Sequence, residues 1–271
     1  MKGSRHFRVS ALLSACVMSL IATAGWSQSL TWLGTLPGGN RSEAWGVSAD
    51  GAVVVGVARD AAGYSRAFRW TASGGMQDLG TLGGNSSGAY GVSADGAVVV
   101  GVAYNAAGQW RAFRWTASGG MQDLGTLGGD WSEAYGVSAD GAVVVGWAFT
   151  VSVQQRAFRW TASGGMRNLG RLGGRYSWAN GVSADGAVVV GSAENAAGQR
   201  RAFRWTASGG MQDLGTLPSG YWSEASDVSA DGSVVVGWAE NADWQDRAFR
   251  WTASGGMQDL GTLPGGNSSE A

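Results

Sequence analysis

The sequence predicts an all-β protein, a β-propeller of about five four-stranded antiparallel blades that forms either a closed ring or an open, truncated arc. Three observations predict this class. A unit of 45–46 residues is written five times after residue 30, which is a typical period for propeller blades. The apolar runs are short and separated by Gly-centred turns, and no window carries the 3.6-residue apolar period of a helix. The five copies are marked by Trp70, Trp115, Trp160, Trp205 and Trp251.

One copy, residues 89–129, illustrates the predicted strands and turns of a blade. Four short strands are predicted at residues 90–93, 97–103, 111–117 and 121–127. The turn after the first strand places Gly96 behind Asp95, where the backbone needs a positive φ that glycine adopts without strain.

The second strand of each copy explains why the unit recurs. Val98, Val99 and Val100 are apolar on both faces, so this strand needs cover on both sides. In the third strand Phe113 and Trp115 share one face, and Ala112 lies on the other. A single sheet would leave one of these faces in water, whereas stacked copies cover both.

Two arrangements of stacked sheets remain, a radial propeller and a linear β-solenoid. Three tight turns within one copy favour antiparallel meanders and therefore the propeller. The sequence 30–36 is predicted as a lone fourth strand, repeated at 260–263, and 264–271 repeats 37–44. We therefore expect a fragment or an open arc of blades.

The first 24 residues resemble a secretory signal peptide. Lys2, Arg5 and Arg8 precede an apolar stretch from residue 9 to 24, and small residues precede a cleavage point after Ala24. The alternative is a lipoprotein with a lipidated Cys16, whose apolar core of about five residues is short for that role. The expected product is one repeat domain, residues 25–271, secreted or held at the cell surface, without a transmembrane segment.

The composition of residues 25–271 limits the kinds of binding and catalytic sites that they can form. Charged residues make up 14% of the chain, whose net charge is −1, and the only His, Cys and Lys are His6, Cys16 and Lys2. Nucleic-acid binding is not expected, because phosphate contacts require a basic stripe. Triads and zinc or copper sites need imidazole or thiolate. We expect no enzyme activity, no cofactor and no metal.

The repeat resembles the bacterial extracellular HAF repeat family. The resemblance rests on residues 111–129, with the Arg-Ala-Phe-Arg-Trp start, and on 91–101, and it covers residues 30–271. It implies secretion or surface display, sometimes as an autotransporter passenger, and no established catalytic activity. The His that names the family is replaced in every copy, by Arg66, Arg111, Arg156, Arg201 and Arg247.

Two sets of carboxylates recur. Asp before Gly favours a turn role over a calcium site, since a turn with one Asp and one Ser offers few oxygens. This first set is Asp50, Asp95, Asp140, Asp185 and Asp231. The second set is expected to pair with Arg or cap a strand, and comprises Asp78, Asp123, Asp213 and Asp259, with Asn168 in the remaining copy. A carboxylate-dependent polysaccharide hydrolase or lyase remains a lesser alternative, because no asymmetric pair stands out.

The copies differ mainly in two loops, and both are rich in aromatic residues. Such loops carry function on rigid scaffolds, and aromatic rings suit stacking on sugars or packing on proteins. The predicted binding residues are Trp45, Tyr90, Trp131, Tyr135, Tyr176, Trp178, Tyr221 and Trp222. The leading hypothesis is a secreted, non-catalytic module that recognises a glycan or a protein. The alternative is a structural passenger or spacer of a larger surface protein.

Overall fold

The computed structural model describes residues 30–271, and they contain twenty strands and no helix. The predicted signal peptide and Cys16 lie outside the described residues. The strands form five separate sheets, each a four-stranded antiparallel meander of consecutive strands. The sheets are the blades of a β-propeller, and the ring is not closed. No helix among the described residues is long and apolar enough to cross a membrane.

The blades follow one another along the chain. Blade 1 comprises β1 (Ser42–Val47), β2 (Val53–Arg59), β3 (Ser65–Thr71) and β4 (Gly75–Asp78). Blade 2 comprises β5 (Gly83–Val92), β6 (Val98–Asn105), β7 (Trp110–Thr116) and β8 (Gly120–Asp123). Blade 3 comprises β9 (Gly128–Val137), β10 (Val143–Thr150), β11 (Gln155–Thr161) and β12 (Gly165–Asn168). Blade 4 comprises β13 (Gly173–Val182), β14 (Val188–Asn195), β15 (Arg200–Thr206) and β16 (Gly210–Asp213). Blade 5 comprises β17 (Ser223–Val228), β18 (Val234–Glu240), β19 (Asp246–Thr252) and β20 (Gly256–Asp259).

The predicted blade order and fold class are confirmed, with corrections to strand lengths. The fourth strand of blade 2 ends at Asp123, because its carboxylate accepts a hydrogen bond from the Gly125 N–H and turns the chain. The first strand begins earlier than predicted, at Gly83. The strand predicted at residues 30–36 is wrong, because within residues 30–271 no third strand lies beside this segment to pair with it. The strand predicted at 260–263 is wrong as well, because the fourth strand of blade 5 is Gly256–Asp259 and ends before it.

A β-bulge in the first strand of every blade explains the glycine after the three valines. In blade 2 the pairing jumps from Ala89 to Gly91, which leaves Tyr90 as the extra residue. The bulge brings the Gly88 carbonyl so close to Gly101 that a Cβ there would lie 2.0 Å from the oxygen. Only glycine fits this position, and the bulge re-aims the side chain of Tyr90.

The blades pack through two different faces. One face of blade 2 presents Val99, Phe113 and Trp115 to blade 1, and the opposite face presents Val98 and Val100 to blade 3. Val99, Val100 and Phe113 are fully buried. The same pairing of an aromatic face with a small-residue face recurs at all four junctions between consecutive blades. This confirms that the valines are covered only because the repeats stack.

A buried serine connects each blade to its predecessor. The Ser132 Oγ accepts a hydrogen bond from the Ala112 N–H of blade 2 at 2.9 Å and donates one to the Gly125 carbonyl at 2.6 Å. Ser132 is fully buried, so neither partner has water as a substitute. The serine therefore satisfies two backbone groups that the blade junction would otherwise leave unpaired.

We expect Ser132→Ala to lower the free energy of unfolding by about 2 kcal/mol, because it leaves the buried Ala112 N–H without an acceptor. Urea unfolding followed by tryptophan fluorescence measures this change. The matched control is Ser118→Ala, in an exposed turn of the same blade, which we expect to be nearly neutral. Equal, small effects of both substitutions would contradict the structural role of the serine.

Candidate binding surface

Both variable loops lie at the same end of the propeller. The link to each first strand and the hairpin between the second and third strands meet there, because consecutive strands run in opposite directions. We call this the variable end. The nearly invariant Ser-Ala-Asp-Gly turns and the hairpins before the fourth strands lie at the opposite, constant end. Sequence variation is thereby gathered on a single surface.

The bulge residues form an inner row of side chains at the variable end. Trp45, Tyr90 and Tyr135 hold the same position in blades 1 to 3, and their rings follow one another at centroid distances of 5.1 and 5.4 Å. Asn180 and Ser226 occupy this position in blades 4 and 5. The row is therefore aromatic on one side of the hub and polar on the other.

Glu133 organises the polar groups of this aromatic row. Its carboxylate accepts hydrogen bonds from the Trp131 Nε1–H at 2.9 Å and the Tyr135 hydroxyl at 2.7 Å. The Tyr135 oxygen in turn accepts one from the Trp147 Nε1–H at 3.1 Å. Burial, and then the nearby Glu133 carboxylate, raises the pKa of Tyr90 to about 12 and also raises the pKa of Tyr135. Both tyrosines therefore remain neutral near pH 7.

A larger aromatic cluster spans blades 2 and 3. Tyr104 and Trp110 stack with ring centroids 3.8 Å apart, and Trp110 lies 6.5 Å from Trp131 of the next blade. Trp131 in turn lies 5.9 Å from Trp147 and 6.4 Å from Phe149. Edge-to-face and offset pairs at such distances hold the rings in fixed orientations. Trp131 remains 37% exposed, so the cluster reaches the surface of the protein.

A cleft of about 290 Å³ opens between blades 1 and 2, and Trp45, Tyr90 and Trp110 line it. Arg41 and Arg59 contribute charged groups to the same cleft. Its floor includes Gly88, at a position where the other blades carry larger side chains, namely Glu43, Glu133, Trp178 and Glu224. A Cβ on Gly88 would already lie 3.4 Å from the Trp45 ring. The missing side chain therefore leaves room for the cleft.

A second aromatic region lies on blades 4 and 5. The Tyr176 and Trp178 rings stack at 5.8 Å, and the Arg200 guanidinium lies 5.4 Å from the Trp178 ring centre, within cation–π range. Arg200 also forms a salt bridge with Glu224 at 3.0 Å.

Trp222 and Trp238 line a cleft of about 300 Å³ beside Arg200. Tyr221, in the link before β17, and Trp244, in the hairpin between β18 and β19, stack almost parallel with ring centroids 4.9 Å apart. The variable end thus offers aromatic faces next to charged groups in two separate places.

The structure places all eight predicted binding residues at the variable end, in two groups. Trp45, Tyr90, Trp131 and Tyr135 belong to blades 1 to 3, and Tyr176, Trp178, Tyr221 and Trp222 belong to blades 4 and 5. The predicted set left out four aromatic residues that lie on second and third strands: Tyr104, Trp110, Trp147 and Trp238. These positions also differ between the copies, which was the available signal. Phe149 and Trp244 belong to the hairpin segment that the sequence already shows to be variable and rich in aromatic residues, but they were not among the predicted binding residues.

The recurring carboxylates are engaged with their own backbone. Asp95 accepts hydrogen bonds from the Ser93 hydroxyl at 2.6 Å and the Ala97 N–H at 3.0 Å, which fixes the turn as predicted. In the second set, Asp78, Asp123, Asp213 and Asp259 each accept from a glycine N–H two residues on. Three of them also lie 3.7 to 3.9 Å from an arginine. Across residues 30–271 no group of three His, Cys, Asp or Glu side chains comes together as metal ligands would.

Comparison with family models and with curated protein sequences gives no match. Among solved structures, the chain is similar to a putative TolB from Agrobacterium tumefaciens, with a TM-score of 0.58, 17% identity, and coverage of 82% of this chain and 81% of that one. It is also similar to TolB from Acinetobacter baumannii, with a TM-score of 0.56 and 14% identity, covering 80% of this chain and 53% of that one.

Peptidases share the fold as well. Prolyl oligopeptidase B from Galerina marginata has a TM-score of 0.57 and 10% identity, and the match covers 83% of this chain and 34% of the peptidase. The chain therefore spans about half of the Acinetobacter TolB and a third of this peptidase. At these identities the comparisons establish the fold alone: the protein is a β-propeller.

The turn aspartates predict a loss of stability in acid. Hydrogen bonds from Ser138 and the Ala142 N–H lower the pKa of Asp140 below its ordinary value of 3.8, and the pKa of Asp231 is lowered to about 2. Because the folded-state pKa lies below the unfolded one, this stabilisation is present above about pH 4 and lost as the pH falls towards 2. We expect Asp140→Asn to flatten the decline in unfolding free energy between these pH values. Urea titrations at several pH values measure it.

The control for that experiment is Asp243→Asn, which removes one exposed carboxylate from a hairpin without touching a Ser-Ala-Asp turn. We expect this variant to keep the acid dependence of the unaltered protein. An identical acid dependence in all three proteins would show that the turns contribute nothing to it.

Proposed function

We propose that the protein is a non-catalytic recognition module, exported to the periplasm or cell surface, that binds a glycan at its variable end. One observation carries the proposal: every loop that differs between the copies lies at one end, and that end presents exposed tryptophans beside charged side chains. Trp45 is 46% exposed, and Trp222 is 49% exposed. Flat aromatic faces flanked by hydrogen-bonding groups suit the apolar face and the hydroxyl groups of a sugar ring.

The composition of residues 25–271 supports a role without catalysis. They contain no His, Cys or Lys, so imidazole bases, thiolate nucleophiles and amine nucleophiles are lacking. The carboxylates recur at equivalent positions and are held by turns, whereas a glycosidase needs two carboxylates with different environments. The lesser hypothesis of a polysaccharide hydrolase or lyase gains no support from this arrangement.

Export is supported by the sequence features at the N-terminus and by the resemblance to the HAF repeat family. That resemblance implies secretion or surface display. We propose that the chain belongs to that repeat family. Surface display would place the variable end where extracellular glycans are available.

A second candidate function, a spacer or passenger segment, is favoured by the constant architecture of the blade junctions. The same apolar contacts recur at all four junctions, so the repeat can be extended without changing its interfaces. In this case the aromatic rings would serve to shield blade edges, and their removal would leave ligand binding unchanged.

Binding to a glycan array, followed by calorimetry with the best glycan, tests the recognition hypothesis. We expect Trp45→Ala and Trp222→Ala, alone or together, to weaken binding at least about tenfold, equivalent to about 1.4 kcal/mol. Gly88→Glu should also weaken binding if the cleft between blades 1 and 2 is used, since it fills the cleft and retains every ring. The control is Gln122→Ala, on an exposed fourth strand.

Equal binding by the tryptophan variants, Gln122→Ala and the unaltered protein would show that the variable end does not bind the glycan. Absence of binding to any glycan, together with binding to a protein that depends on the same tryptophans, would replace the glycan by a protein partner. Thermal unfolding of each variant shows whether the fold is retained.

A further inference from the structure

The two terminal blades expose the two halves of the junction that the interior blades share. Blade 5 presents the small-residue face, on which Val234 and Val236 are only half-buried and Leu260 is 56% exposed. The equivalents of Leu260 in blades 1 to 4 are 6 to 7% exposed. Blade 1 presents the aromatic face, on which Ala44 is exposed although its equivalents in blades 2 to 5 are fully buried. Val54 and Trp70 on this face are half-buried, and Phe68 is already packed beneath Leu36.

The polar contacts of the junction are divided in the same way. An arginine of each of blades 1 to 4 donates to a turn carbonyl of the next blade, as Arg114 does to Gly141 at 3.1 Å. Within residues 30–271 Arg250 of blade 5 has no such carbonyl, and the Gly51 carbonyl of blade 1 has no such arginine. The terminal blades thus carry one donor and one acceptor that match.

A row of backbone hydrogen bonds between neighbouring blades also lacks its partners at blades 1 and 5. The Ala49, Ala94, Ala139 and Ala184 N–H groups each donate to the equivalent alanine carbonyl of the next blade, at 3.0 to 3.1 Å. In the described part of the chain the Ala230 N–H has no following carbonyl, and the Ala49 carbonyl has no preceding N–H. A segment that pairs with both terminal blades must therefore offer a carbonyl acceptor to the Ala230 N–H and an N–H donor to the Ala49 carbonyl.

The segment after β20 docks on blade 5 as a link loop does on an interior blade. The Ser269 Oγ accepts from the Ala248 N–H at 3.0 Å and donates to the Gly261 carbonyl at 2.7 Å. These are the contacts that Ser132 makes where blade 3 begins. Blade 5 therefore carries the polar contacts that an interior blade makes with the blade that follows it.

We infer that the exposed faces of blades 1 and 5 together form a docking site for one further blade of this same repeat, which closes the ring. The occupant carries a Phe-x-Trp face towards blade 5 and a Val-x-Val face with its arginine towards blade 1. It buries both apolar surfaces and pairs Arg250, Ala230, Ala49 and Gly51 at the same time. This inference concerns the scaffold and does not depend on the proposed function.

The test adds repeats to the full chain. Residues 90–134 are duplicated once or twice directly after Ala134, which keeps the repeat in phase and gives six or seven blades. We expect the six-blade protein to bind a hydrophobic dye several-fold less than the five-blade protein and to have the highest unfolding midpoint of the three. The seven-blade protein carries one blade more than the docking site takes, so its dye binding should rise and its midpoint should fall again.

A substitution on the exposed face of blade 5, made in both the five-blade and the six-blade protein, tests whether the added blade covers that face. Val236→Asp should shift the unfolding midpoint of the five-blade protein little, because the side chain is half-buried, and shift that of the six-blade protein strongly. Val190→Asp, at an interior junction, should shift both strongly and serves as the control. A six-blade protein that retains dye binding, unfolds below the seven-blade protein or tolerates Val236→Asp would overturn the inference.

Discussion

The valines of each second strand can be buried on both faces only if another blade stands on each side. Val98 and Val100 face forward along the chain, Val99 faces back, and each set reaches full or nearly full burial because a neighbouring blade covers it. The remaining features of the fold serve this contact. The bulge and its glycine allow the strands to pair closely, and the buried serine and the arginine satisfy polar groups that the stacked sheets would otherwise leave unpaired. Stability therefore belongs to the junctions more than to single blades.

The same constraint separates the two ends of the propeller. At the constant end, Ser-Ala-Asp-Gly turns are tied by hydrogen bonds both to themselves and to the next blade, so a change there disturbs a junction. At the variable end the links and hairpins reach beyond the apolar contacts, and their side chains are free to differ. The concentration of tryptophan and tyrosine at the variable end is thus possible because the junctions do not restrict these positions.

The repeat period, the turn chemistry and the alternation of Phe113 and Trp115 with Ala112 were sufficient to predict the blades and their order of stacking. Strand ends were harder to predict, because Asp123 stops a strand by a local hydrogen bond that competes with continued pairing. The predicted strand at residues 30–36 failed because a strand requires a partner, which a single sequence window does not reveal. Trp110 and Trp147 were not recognised as members of the aromatic cluster, because the bulge that turns the neighbouring side chains towards them is a property of pairing between strands.

Hydrogen exchange of backbone amides, resolved by blade, tests most directly whether the junctions hold the molecule together. The account predicts that the second-strand amides of blades 2, 3 and 4 exchange slowly and together, in one cooperative opening. The amides of blades 1 and 5 should exchange faster, because each of these blades lacks one junction. Equal protection in all five blades, or independent opening of blades 2, 3 and 4, would contradict the account.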